Sequence, residues 1–195
     1  MIVALTGMDG DGAVSDLAED LAMLRVAAGK RVLLVSPNPG PYDPQLFDDL
    51  LIDVSQRGED RALERATVIV VLLRPEELER GSQQLLLERL HKAQHANPGA
   101  QVLVTVAHGR RPLSPHQTGC VLVFAAQLRQ ARLADTLVLD DGGDSYHSHH
   151  SELEPDAYKM DRKLCAPEVR HLYREIFPSR SEDMYIGALF SRQAV

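Results

Sequence analysis

Only two cysteines occur in the 195 residues, Cys120 and Cys165, set 45 apart with no CxxC pairing. That spacing excludes a disulfide framework and a zinc knuckle, and it fits reduced thiols in a cytoplasm. No apolar run reaches the 18 residues of a membrane span, and the chain opens directly on a strand-like segment. Neither a membrane helix nor a signal peptide is therefore expected. Basic residues are scarce: 21 Lys and Arg stand against 28 Asp and Glu, a formal net charge of −7. A dedicated nucleic-acid binder rests on a basic face, so this balance argues against one. What is present is the composition of an ordinary globular protein, 44% hydrophobic and 25% charged. At this length a chain buries roughly 70% of its unfolded surface, enough for a core without covalent staples.

Short runs rich in Val, Leu and Ile, at 2–6, 31–36, 49–53, 67–73, 101–106 and 136–139, read as strands buried on both faces. Between them, longer apolar patterns predict helices over 15–28, 56–65, 76–96 and about 118–133. Gly29 follows the first helix as a C-terminal cap, and Asn97-Pro98-Gly99 stops the third. A polar loop runs from Asp140 to about Ala166, and a last helix is predicted over 167–177. Strand alternating with helix predicts a three-layer α/β fold, a mostly parallel sheet with helices on both faces. No repeat or boundary interrupts the pattern, so one domain over 1–177 and a tail over 178–195 are expected.

In open α/β sheets ligands sit beyond the carboxyl ends of the strands, where a helix N-terminus can meet phosphate. After the first strand that place belongs to residues 6–15, and three chemistries compete for it. Gly10-Asp11-Gly12 supplies the GxG of a dinucleotide fingerprint. However, Ser15 stands where a third glycine belongs, and Ser36 ends the second strand without the acidic residue that holds a ribose hydroxyl. A nucleotide-cofactor (NADP-type) oxidoreductase is therefore the weaker alternative. Asp9 and Asp11 share the D-x-D spacing of a calcium loop, but Ala13 fills a ligand position and no Glu sits at position twelve. Calcium is set aside.

The third chemistry is a degenerate P-loop. The strand 2–6, the glycine loop, the helix after it and Gly29-Lys30-Arg31-Val32-Leu33-Leu34-Val35 together resemble the ParA/MinD family of deviant Walker-type ATPases. The family's loop, KGGxGK[ST], falls on residues 9–15, and its second-strand motif on Ser36-Pro37-Asn38-Pro39. The same loop is similar to that of dethiobiotin synthetase. Phe47-Asp48-Asp49-Leu50-Leu51-Ile52-Asp53 resembles the Walker B strand, and 168–177 resembles the family's C-terminal helix. The resemblance spans about residues 1–177 and implies a P-loop NTPase-like fold. It further implies that Asp53 ends a strand next to the first one, close to the loop.

The departures shape what the resemblance implies. Val14 and Asp9 stand where the family has its phosphate-gripping and signature lysines, and Ala13 and Asp11 replace glycines. Ser36 replaces the second-strand Asp that orients water. Each unfavourable charge pair at a few ångströms costs about 4 kcal/mol at an effective dielectric of ~20. The remnant of the nucleotide site is Gly10, Gly12, Ser15, matching the Mg²⁺-ligating Ser/Thr, and Asp53, matching Walker B. A hydroxyl and a carboxylate do not hold Mg²⁺ usefully without phosphates. Plainer roles are Ser15 as helix N-cap and Asp53 as strand end. The expectation is a pseudo-ATPase with no cofactor and no catalytic residues. It would regulate or scaffold a protein partner in a partition, positioning, conjugation or polysaccharide-secretion system. The alternative is an active family ATPase that binds ATP and Mg²⁺ through a non-standard loop. Any homodimer should form without nucleotide, by apolar burial. Ser36 and Asp53 are only 17 residues apart, so partner-binding helices of the family are trimmed here.

Other clusters have plain readings beside functional ones. His147, His149 and His150 are weak metal-ligand candidates in a polar loop, and no metal is expected. His91 and His95, four apart without an HExxH glutamate, read as a solvated face. Arg110, Arg111, Arg129 and Arg132 form a candidate basic rim of the kind ParA-like proteins use on DNA. On a −7 chain such arginines serve more often as salt-bridge partners. Met184, Tyr185, Ile186, Leu189 and Phe190 share a helical face in the tail, but Gly187 and the few nearby bases favour packing over membrane anchoring.

Overall fold

The computed structural model describes residues 1–8, 12–35, 43–54, 60–108, 112–136, 138–139 and 167–178. The strands are β1 (Ile2–Gly7), β2 (Val32–Val35), β3 (Asp49–Asp53), β4 (Val68–Leu73), β5 (Gln101–His108), β6 (Ala131–Leu133) and β7 (Val138–Leu139). They lie in the order β2-β3-β1-β4-β5-β6, with β7 also on β5, and every pairing is parallel. The helices are α1 (Gly12–Ala27), α2 (Asp60–Arg65), α3 (Pro75–Glu79), α4 (Gln84–Ala96), α5 (Pro115–Ala126) and α6 (Pro167–Ile176). The three-layer α/β architecture follows from which side chains alternate along the strands. Val3, Leu5, Val68, Val70 and Leu72 face α1 and α6, while Ala4, Ile69, Val71 and Leu73 face α2 to α5. Central strand β4 buries all six residues, as a strand covered on both faces must.

Helix boundaries depart from the sequence pattern at three places. The expected helix over 76–96 is two helices, α3 and α4, because Gly81 adopts φ +71 in the turn between them. The helix expected over 118–133 starts at Pro115, where Ser114 and Gln117 form a reciprocal capping box, and ends at Ala126. Gln130, at φ +51, then turns the chain into β6, a strand where the sequence pattern predicts helix. α1 begins at Gly12, so Ser15 lies inside its first turn and is not its N-cap. Its far end is as the sequence predicts: Gly29 sits at φ +80, with Lys30 N–H on Arg25 O and Gly29 N–H on Val26 O. The 140–166 loop with its histidines falls outside the described residues, as do positions 179–195 of the tail.

At the amino end of the sheet a buried polar knot ties three elements together. Arg25 Nε of α1 donates to Asp49 Oδ2 of β3 at 2.7 Å, and Nη1 donates to Tyr173 Oη of α6 at 3.2 Å. The guanidinium also lies 4.4 Å from the centre of the Phe177 ring. On the surface nearby, side-chain and backbone hydrogen bonds from Arg31 hold the Asp48 carboxyl below its ordinary range. Its stabilising contribution is full above the ordinary carboxylate range and is lost as pH falls from there through the lowered value of the folded state. Among the described residues no helix is long and apolar enough to cross a membrane.

Candidate functional site

The site is built where β1 ends and α1 begins. β1 pairs with β3 on one side, Leu5 opposite Asp53, and with β4 on the other, Gly7 opposite Leu72. Asp53 therefore ends the strand next to β1. Ser15, in the first turn of α1, donates from Oγ to Asp53 Oδ2 at 2.5 Å, and Asp53 is only 3% exposed. Ser15 and Asp53, the two residues that the family resemblance had singled out, are thus hydrogen-bonded to each other, although 38 positions separate them.

Val14, which the resemblance sets at the place of a lysine, is a core residue. Its side chain is 0% exposed and belongs to the core with Leu5, Leu17 and Leu72. Gly7 makes this packing close: a Cβ there would stand 2.8 Å from Val14 Cγ2 and 2.9 Å from Leu72 O. Real Cβ atoms do not approach so near, so Gly7 is needed for contact between strand and helix. Ala13 is half-buried against the same core. A Cβ added to Gly12 would meet nothing within 4 Å among the described residues. Asp9, Gly10, Asp11 and Ser36 lie outside the described residues.

Behind Asp53, a buried arginine holds the start of the next helix. Arg89 of α4 donates from Nε to Asp60 Oδ1 at 2.9 Å and from Nη2 to Val54 O at 3.1 Å. Val54 N–H in turn donates to Leu5 O at 2.8 Å. A cavity of about 300 Å³ opens beside Gly7 and Met8, with Glu77, Ser82 and Arg89 on its polar side. Sequence reasoning missed Gly7 and Arg89. The glycine ending a buried strand before a loop was a readable signal, whereas the partners of Arg89 lie 29 and 35 residues away and leave no local trace.

The remaining candidates are not gathered here. Arg129 precedes β6, and Arg132, opposite Leu103, pairs with Glu175 at 3.2 Å. Both belong to the amino side of the sheet, away from the carboxyl ends, while Arg110 and Arg111 lie outside the described residues. His91 Nε2 is 2.8 Å from Gln127 O, on an exposed face of α4 that also carries His95. Among the described residues no three His, Cys, Asp or Glu are placed to hold a metal ion.

Chemically, the arrangement presents a hydroxyl, a buried carboxylate and the first N–H groups of a helix, with Val14 beside them buried in the core. Phosphate placed at this helix end would meet the buried carboxylate of Asp53, a like charge that opposes it. The Ser15 bond joins α1 to β3. Replacing Ser15 by alanine is expected to cost about 2 kcal/mol, since a buried carboxylate loses a donor. Urea unfolding at neutral pH measures this, and an unchanged midpoint would contradict it.

No family model matches the chain, and no curated protein matches it. Among solved structures it is similar to a flavodoxin from the domain Archaea, 14% identical, with a TM-score of 0.38 over 88% of this chain and all of that one.

Proposed function

We propose that this chain is a ParA/MinD-like protein of P-loop type whose nucleotide site has become structural, acting in the cytoplasm as a regulatory or scaffolding partner of another protein. The observation that carries the reading is Val14, fully buried against Gly7 in the place of the phosphate-gripping lysine. A P-loop works by positioning phosphate and neutralising its charge with lysine, Mg²⁺ and backbone N–H groups. With Val14 turned into the core, the first turn of α1 offers N–H groups alone. Ser15 and Asp53 are already engaged with each other, which supports a role in holding α1 to β3. The proposed settings are partition, positioning, conjugation or polysaccharide secretion, all implied by the family resemblance.

One observation favours a second reading, an active ATPase with a non-standard loop. The Ser15–Asp53 juxtaposition is the one that Mg²⁺–phosphate chemistry would employ, and it lies at the carboxyl end of adjacent strands. Calorimetry separates the two. Titration of ATP and Mg²⁺ into the purified protein is expected to give no binding heat, and phosphate release no turnover. Micromolar ATP affinity, or hydrolysis abolished by Asp53→Ala, would overturn the first reading in favour of the second.

A further inference from the structure

We propose that the second half of α4 and the turn after α5 form a site for a divalent transition-metal ion of the nickel or copper type, held by His91, His95 and the main-chain carbonyl of Gln127. The two histidines stand four apart on an exposed face of α4, with His95 in its last turn. That spacing sets their β-carbons about 5–6 Å apart, within reach of one ion through both imidazoles. The third donor comes from another element. His91 Nε2 lies 2.8 Å from Gln127 O, and Gln127 caps the C-terminus of α5. A main-chain oxygen leaves no signature along the chain, so the sequence alone shows only a pair of histidines.

Gln94 makes the arrangement rigid. It is 7% exposed, accepts from Arg129 N–H at 3.1 Å and donates from Nε2 to Arg129 O, which fastens the turn to α4 beside both histidines. Such support around a ligand set fixes its geometry. With bonds of about 2.0–2.1 Å, two donors on one ion stand about 2.9 Å apart at a right angle and about 3.3 Å apart in a tetrahedron. The 2.8 Å separation matches the right-angled case, the arrangement that Cu²⁺ and Ni²⁺ take with nitrogen and oxygen ligands. A cavity of about 300 Å³, lined by His91, Gln94, His95, Gln127 and Arg129, leaves room for water at the remaining positions.

Without the ion, His91 donates from Nε2 to Gln127 O. With the ion on Nε2, the ring proton moves to Nδ1 and the imidazole stays neutral. Electrostatics select a cation. Both α4 and α5 end at this cavity, and the carbonyl ends of helices favour positive charge. The net charge of −7 draws cations to the chain as a whole. Arg129 opposes them locally and holds the affinity to the micromolar range. An anion would gain Arg129 but would meet the carbonyl ends of two helices.

This inference stands apart from the nucleotide reading, because no element of it involves residues 7–15. Titration of untagged full-length protein with Ni²⁺, followed by amide NMR, is expected to broaden the signals of residues 91–95 and 127–129 at micromolar concentration, with Mg²⁺ inert. His91→Ala and His95→Ala should each weaken this local effect by about tenfold or more, while the circular dichroism spectrum stays unchanged. Arg129→Ala should strengthen it. The triple variant His147→Ala, His149→Ala and His150→Ala is expected to leave it intact, which separates this site from the other histidines of the chain. Signals that broaden elsewhere while residues 91–95 stay sharp, or an effect lost only in the triple variant, would overturn the proposal. Inorganic phosphate shifting the His91 and His95 signals where Ni²⁺ does not would overturn it too, and would make the cavity an anion site.

Discussion

Replacing Asp49 by alanine is expected to destabilise the protein by about 3–5 kcal/mol, because it strands a buried arginine. Asp49 is 3% exposed and Arg25 8%, so water cannot take over the lost bond without opening the amino end of the sheet. Arg25 joins Asp49 to Tyr173 and lies over Phe177, so the damage should spread from β3 to α6. At about 2–4 °C per kcal/mol for a chain of this size, the melting temperature should fall by roughly 10 °C. Hydrogen exchange should show α6 losing protection before β4 does. The pair itself is not expected to be a large net stabiliser. Asp49 Oδ1 also pairs with the partly exposed N-terminal ammonium of Met1 at 3.1 Å, so Arg25→Met with Asp49→Leu, which removes the two buried charges and leaves that ammonium to water, should cost less than Asp49→Ala alone. A single variant that loses under 1 kcal/mol, or a double variant as damaged as the single, would show that the knot is not coupled in this way.

Val14→Lys is expected to lose about 3 kcal/mol of stability and to gain no ATP binding. Val14 is fully buried among Leu5, Leu17 and Leu72, with Gly7 leaving no slack beside it. A lysine there must either bury its ammonium without a partner or push α1 away from β1, and both are destabilising. Restoring one element should not restore a site whose parts act as a unit. Asp9→Lys, Asp11→Gly, Ala13→Gly and Val14→Lys together remove both loop carboxylates and supply both cations, so the combined variant is where nucleotide affinity is expected first. Urea unfolding and calorimetry on the single and combined variants provide the measurements. A single variant of undiminished stability that binds ATP at micromolar concentration would mean that position 14 readily faces the loop, and the dead-site reading would fall with it.

Several elements were legible from local pattern because their causes are local. Buried strands announce themselves as Val, Leu and Ile runs, and β3 was read over the same five residues that it occupies. The Gly29 cap was legible because only a left-handed residue closes that helix end. Where the apolar pattern and the structure part, a local signal marks the boundary. Ser114-Pro115-His116-Gln117 marks the start of α5, and reading it would have shortened the helix and freed 131–133 to be a strand. At α3 and α4 the apolar spacing ran on across Gly81 and concealed the break.

By itself the sequence determined the alternation of strand and helix, hence a parallel sheet with two helical layers, and the residue types available at the end of β1. Tertiary structure alone decided the order β2-β3-β1-β4, which sets Asp53 against Ser15, the inward turn of Val14, and the meeting of Arg25 with Tyr173 across 148 positions. The physical reason is range. Side-chain period and capping act over a few residues and can be read along the chain, whereas strand neighbours and the direction a borderline residue faces are set by which distant surfaces bury the most apolar area together.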